Sequence, residues 1–160
     1  MRKLLESQPS WLKTLMNRTL RELGFTGSAN TWRKPLPDSL LVINLQKSQY
    51  GPQFYLNLGV WLKQLGDVNA PKEHQCHVRL RATALADDKG VRLGQALDLE
   101  NSTLSQEQRE NFIAGFIQQE VLPFMETVGT VQGLGAAITC GKLDKAMVHK
   151  QVKDLLFKNE

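Results

Sequence analysis

Hydrophobic and polar residues alternate most sharply between Leu40 and Lys63, in the run LLVINLQKSQYGPQFYLNLGVWLK. Side chains on a strand point to opposite faces in turn, so every second residue shares a face. Leu41, Ile43 and Leu45 form one apolar set, and Phe54, Leu56, Leu58, Val60 and Leu62 form another. Between them Gln49-Tyr50-Gly51-Pro52 supplies turn chemistry. A turn centred on Tyr50 and Gly51 sets Leu45 opposite Leu56, Ile43 opposite Leu58 and Leu41 opposite Val60. Both apolar sets then fall on one side of a hairpin, and a slip of one residue would send every side chain to the wrong face. The same register sets Asn44 opposite Asn57 and Gln46 opposite Tyr55, with Ser48 and Trp61 on that side as well. This second face is rich in amides and aromatics, where a solvated strand surface favours Lys, Glu and Thr. It reads either as the wet side of an antiparallel sheet or as a binding surface.

The flanking segments show a different period. Trp11, Leu12, Leu15, Met16, Leu20 and Leu23 recur at helical spacing, which predicts a helix from about Ser7 to Leu23. Ser7 is the expected N-cap, Pro9 is tolerated in the first turn, and Gly24 suits the left-handed position beyond the end, with Phe25 folding back on Leu20. A short strand is expected from about Thr31, then a tight connection through Pro35-Leu36-Pro37-Asp38. Gln64 to Glu73 reads as a loop. Cys76, Val78, Leu80 and Ala82 alternate with His77, Arg79, Arg81 and Thr83, which predicts a strand with a cationic outer side. Asp87-Asp88-Lys89-Gly90 reads as a turn, and Val91, Leu93 and Leu97 as a last strand, weakened by Gly94. Ser105 and Gln108 form a capping-box pattern ahead of a helix whose buried stripe is Ile113, Phe116, Ile117, Val121 and Phe124, with Pro123 expected to kink or end it. Thr130 to Cys140 predicts a short helix with Val131, Leu134 and Ile138 on one face and Gly141 past its end. Leu143 to Lys158 predicts a last helix with Val148, Val152, Leu155 and Leu156 inward.

Strands in one run followed by helices in another argue for an α+β fold: an N-terminal helix, an antiparallel sheet of about five strands, and two or three C-terminal helices on its apolar face. At 160 residues the chain is expected to form a single domain, with its core between about 7 and 157.

Within that pattern, Val42-Ile43-Asn44-Leu45-Gln46-Lys47-Ser48, Tyr50-Gly51 and Phe54-Tyr55-Leu56-Asn57-Leu58-Gly59-Val60 resemble the hallmark of a bacterial family, the domain of unknown function 4304. Gly24-Phe25 and Asn30-Thr31-Trp32-Arg33 fit the same pattern upstream. The resemblance is good from Trp11 to about Arg81 and loose to about Val128. It supports the fold and implies no activity.

Composition narrows the class. Hydrophobic residues at 41% and charged residues at 22% are ordinary for a soluble globular protein. The chain lacks a long apolar run and an apolar N-terminal segment, which points to a cytoplasmic location, and Cys76 and Cys140 suit a reducing compartment. The net charge of +4 mildly favours acidic partners.

The candidate chemistry is sparse. His74-Gln75-Cys76-His77 has the wrong spacing for metal convergence, because His77 points away from His74 and Cys76 on a strand, and neither a metal nor a cofactor is expected. Gly129 to Ala136 is glycine-rich, yet no Lys-Ser/Thr pair follows as a phosphate loop needs. Close helix packing explains it better. Asp98 could pair with Arg79 across the sheet. One constellation remains: His77, Arg79 and Arg81 sharing a face with Asn44, Gln46, Tyr55, Asn57 and Trp61, since Arg and aromatics are enriched where proteins bind partners.

The expected function is therefore a non-enzymatic protein-binding domain on that face, with Trp61, Tyr55 and Arg81 as anchors. A concrete version is an immunity protein that neutralises a toxin by steric occlusion. The alternative is nucleic-acid or nucleotide binding through Arg79, Arg81, Lys47 and Tyr55. A third reading, an unfamiliar enzyme, would use Gln46, Asn57 and His77.

Overall fold

The computed structural model describes residues 9–157. Helix α1, Ser10–Glu22, is followed by strands β1 (Thr26–Ser28), β2 (Thr31–Pro35), β3 (Ser39–Lys47), β4 (Phe54–Leu62) and β5 (Val78–Arg81). Then come α2 (Asp87–Ala96), α3 (Gln106–Phe116), α4 (Leu122–Val128), α5 (Val131–Thr139), the short strand β6 (Met147–Val148) and α6 (Lys150–Phe157). Among the described residues the strands form one antiparallel six-stranded sheet in sequence order. The fold is α+β, with one more strand than the pattern implied.

The end of α1 follows from local chemistry. Gly24 takes φ of 92°, a left-handed conformation that costs glycine little. The Phe25 N–H then reaches the Leu20 carbonyl at 2.9 Å and the Gly24 N–H reaches Arg21 at 3.0 Å, satisfying carbonyls that the helix leaves over. The expected cap Ser7 lies outside the described residues, as does Lys158, and Pro9 precedes the first turn.

The central hairpin has the register set by its pattern: Leu45↔Leu56, Ile43↔Leu58, Leu41↔Val60, Asn44↔Asn57 and Gln46↔Tyr55. Its apolar side, with Trp32 of β2 and Val78 of β5, is covered by α1, α2, the α3–α4 helix, α5 and α6. Leu12, Met16, Leu20, Trp32, Leu41, Ile43, Leu62, Leu93, Ile113, Val121, Met125 and Leu134 are all inaccessible to solvent. The turn before β3 ties the layers together. Asp38 accepts the Val131 N–H at 3.0 Å and Ser39 donates to the Gly129 carbonyl at 2.6 Å. Asp38 and the N-cap Thr130 together hold the start of α5. The glycine-rich run is packing, not a phosphate loop: a side chain on Gly129 would strike Leu36, and one on Gly133 would strike the Thr127 carbonyl.

Four expectations are corrected. Residues 87–96 form helix α2, not a turn and a strand. Gly90, Leu93 and Ala96 are its buried positions, three residues apart, and Asp87 and Asp88 sit in its first turn, where carboxylates favour a helix. Of the two outcomes expected at Pro123, a kink or an end, the end does not occur, since the helix runs from Gln106 to Val128, and the expected burial of Phe124 is corrected. A π turn, Ile117–Val121, precedes the proline and uses more residues per turn, so Met125 rather than Phe124 becomes the next fully buried position. Asp98 does not meet Arg79. It bridges Gln53 at the base of the hairpin tip, while Arg79 pairs with Glu73. The last segment is not one helix: Leu143 is buried in a turn, Met147 and Val148 pair with Arg79 and Val78, and Leu155 is exposed. Two further additions are β1, which pairs with β2 as a small hairpin, and the shortening of β5, which gives way to a 3-10 turn at Ala82–Leu85 before Thr83 can join the sheet. No single helix among the described residues is long and apolar enough to cross a membrane.

Candidate functional site

The face of the sheet away from the helices is laid out in cross-strand rows. One row is Arg33, Val42, Gly59 and Arg79, and the next is Thr31, Asn44, Asn57 and Arg81. Gln46 and Tyr55 face each other beyond them, at the hairpin-tip end. Trp61 and His77 stack at the opposite end, with ring centroids 4.2 Å apart.

A strap of chain between β4 and β5 divides this face. Trp61 Nε1–H donates to the Gly66 carbonyl at 2.9 Å, and Arg33 Nε–H donates to Pro71 at 2.9 Å. Arg79 Nε–H donates to Glu73 at 3.2 Å. Arginines from both sides of the sheet thus pin the strap over the Val42–Gly59 row. Cys76 lies directly on Gly59, where an added Cβ would stand 2.8 Å from the Cys76 sulfur. Val42 and Cys76 are fully buried there, apart from the main core. Burial, reinforced by the Glu73 carboxylate, pushes the Cys76 thiol up to about 12 against the opposing pull of Arg79 and Arg33. It stays protonated and unreactive.

This strap takes three of the expected contact residues out of play. His77 is only 4% exposed, and its Nδ1 accepts the Leu62 N–H at 3.0 Å, so it terminates β4 rather than facing a partner. Trp61 is half-buried between His77 and the strap. Arg79 spends its charge on Glu73. The structure does not bring His77 to Gln46 and Asn57, because Trp61 and Tyr55 mark opposite ends of β4. Among the described residues, no group of three or more His, Cys, Asp or Glu side chains could hold a metal ion.

His77 also carries a pH prediction. Burial, with a smaller contribution from His149, lowers its pKa below the ordinary 6.5. The unfolded chain therefore binds this proton at a higher pH than the folded one. The stability contributed by neutral His77 is fully present above about pH 6.5 and is lost as pH falls through that value toward the folded pKa. Urea midpoints measured from about pH 8 down to 5 should fall more steeply in the parent than in His77→Gln. Parallel slopes would remove His77 as the cause.

The other five expected residues do assemble. Asn44 Nδ2 donates to the Asn30 carbonyl and to Thr31 Oγ1, each at 3.1 Å. A backbone carbonyl can only accept, so this fixes which end of the Asn44 amide points to β2. Asn44 Oδ1 must then accept, and it does so from Asn57 Nδ2 at 3.2 Å. The same Asn57 Nδ2 donates to Gln46 Oε1 at 2.9 Å. At the far side Arg81 lays its guanidinium over the Tyr55 ring, 3.9 Å from its centroid. Arg81 and Gln46 are exposed, Asn44 and Tyr55 half-buried, and Asn57 is 7% exposed. The result is a rigid amide ladder ending beside a stacked cation. The sequence pointed to each of these residues, but not to Asn30 and Thr31, which anchor the ladder from a hairpin too short to announce itself. Tyr50, 96% exposed at the hairpin tip, carries turn chemistry and part of the family resemblance in the sequence but no signal of a binding role.

The family described as domain of unknown function (DUF4304) matches residues 16–127. The chain belongs to this family. The matched span holds β1 to β5, the strap, the ladder and Arg81. Helices α5 and α6 and strand β6 lie beyond it. No curated protein and no solved structure matches the chain. The DUF4304 match thus covers five of the six strands and assigns no activity.

Proposed function

We propose that this chain is a non-enzymatic protein-binding domain whose contact surface is the open half of the outer sheet face. The observation that carries this reading is the exposed Arg81 guanidinium lying over the half-buried Tyr55 ring, set beside an amide ladder whose orientation is already fixed. A preorganised aromatic and an arginine lose little freedom on binding, which is what makes such pairs effective interface anchors. The contact set is Asn44, Gln46, Tyr55, Asn57 and Arg81, with Tyr50 at its rim. In the most concrete version, the domain is a bacterial immunity protein that blocks a toxin by covering its active site.

Nucleic acid is the competing occupant. Its case is weakened because Arg79 is paired with Glu73, leaving Arg81 as the one cation of the ladder row and Lys47 bonded to the Ser48 carbonyl. Capture from the host lysate, with and without nuclease, decides between them. One protein retained by the parent and lost by Arg81→Ala with Tyr55→Ala, in a variant with the parent's circular dichroism, is the expected result. Capture abolished by nuclease and falling steeply with salt would overturn it in favour of nucleic acid. Equal capture by both forms would discard the site.

A further inference from the structure

We infer that the open face recognises an acidic residue presented on a peptide chain, an inference that rests on the protein-binding reading and specifies its partner. Three groups on this face have no hydrogen-bond or ion-pair partner among the described residues. The Arg81 guanidinium touches only the Tyr55 ring. Gln46 accepts through Oε1 from Asn57, so its Nε2 keeps both N–H groups outward. Asn57 donates both of its Nδ2 hydrogens, to Asn44 and to Gln46, which leaves its Oδ1 without a donor at 7% exposure.

These groups are fixed, not interchangeable. Flipping the Asn57 amide would set its oxygen against Asn44 Oδ1, which is itself locked by the Asn30 carbonyl. A buried acceptor without a donor is costly, and here it cannot correct itself by rotation. The surface therefore offers a planar cation, an amide donor and one acceptor that needs an N–H. A carboxylate matches the first two: guanidinium forks bind carboxylates in two-point geometry. The acceptor matches a peptide N–H next to that carboxylate. The phosphodiester of a nucleic-acid backbone would satisfy Arg81 and Gln46 but bring no donor to Asn57. The +4 chain charge favours the same acidic partner. The Tyr55 ring, 3.9 Å from the guanidinium carbon, shields one side of the cation.

The probe is a capped glutamate-containing peptide, titrated into the 15N-labelled parent protein beside its glutamine counterpart and inorganic phosphate. The glutamate peptide should shift the Arg81 Nε–H and the Gln46 and Asn57 side-chain amide signals in a saturable way. The glutamine peptide should bind about tenfold more weakly or worse, as should Arg81→Gln with the acidic peptide. Arg79→Gln should bind like the parent. Backbone amide spectra show whether each variant is folded, and Arg81 is exposed enough that its replacement leaves the sheet intact. Equal or tighter binding of phosphate overturns the inference, as does the absence of any saturable shift. If the peptide fails while the Arg81-dependent protein capture succeeds, the partner uses other chemistry and the protein-binding reading stands. If both fail, the face itself is wrong.

Discussion

Replacing Arg109 by Met should destabilise the protein by about 3 kcal/mol or more, although Arg109 has no acidic partner among the described residues. Its side chain is 5% exposed, and its guanidinium spans the carbonyls of Gln95, Ala96, Asp98 (2.9 Å) and Asn101 (2.6 Å). Gln95 and Ala96 are the last residues of α2, where helix carbonyls have no intrahelical donor. A cation at this end also meets the negative pole of the helix. Methionine would keep most of the packed stem and remove every donor. The buried Ala96 carbonyl and the half-buried Asn101 carbonyl would then lack a protein donor, at about 1–3 kcal/mol for each buried group left unpaired, while Gln95 and Asp98 keep backbone N–H partners. Lysine would recover only part of the loss, because one ammonium cannot spread over an arc that a guanidinium fork covers. Urea unfolding should show the midpoint falling in the order parent, Lys, Met with an unchanged slope. An Arg109→Met midpoint equal to that of the parent would show that solvent, not Arg109, serves these carbonyls.

Arg109 closes an element that the sequence pattern misassigned, and the reason is physical. The central hairpin was legible because a two-residue period with one buried side admits a single register. Helix α2 is short, carries Gly90 and Gly94, and opens with Asp-Asp-Lys-Gly, the composition of a turn. Its helical signal is only the spacing of Gly90, Leu93 and Ala96, and a glycine does not register as an apolar contact. Strands β1 and β6 are shorter still and exist because neighbours pair with them. On the outer face, the polar residues were legible but their exposure was not, since that depends on the strap. One signal did announce the strap. Gly59 lies in the middle of a long strand, where glycine commonly marks the close approach of another segment. Cys76 is that approach. The ladder's anchors, Asn30 and Thr31, could not be read without the β1–β2 hairpin.

Gly90→Ala should destabilise by about 2 kcal/mol, while Gly94→Ala, one turn later in the same helix, should stabilise by about 0.5–1 kcal/mol. Both changes improve helix propensity by a similar amount, because alanine loses less backbone freedom than glycine. The neighbours decide the sign. At Gly94 nothing lies near the position a Cβ would take, so the propensity gain stands alone. At Gly90 a Cβ would overlap the Thr83 carbonyl oxygen. That oxygen cannot easily withdraw, because it belongs to the 3-10 turn Ala82–Leu85, whose first residue is fully buried. Either α2 moves off the turn, loosening Leu93 and Ala96 from the core, or the turn moves toward the sheet. The second course reaches the binding face directly, since Arg81 is the residue that enters this turn and holds its guanidinium over Tyr55. Gly90→Ala should therefore shift the Arg81 side-chain resonance, and Gly94→Ala should leave it in place. Opposite stability changes with that difference in the Arg81 signal would tie the packing of α2 to the geometry of the open face. Equal and stabilising changes at both glycines would mean that Thr83 yields freely and that α2 does not position Arg81.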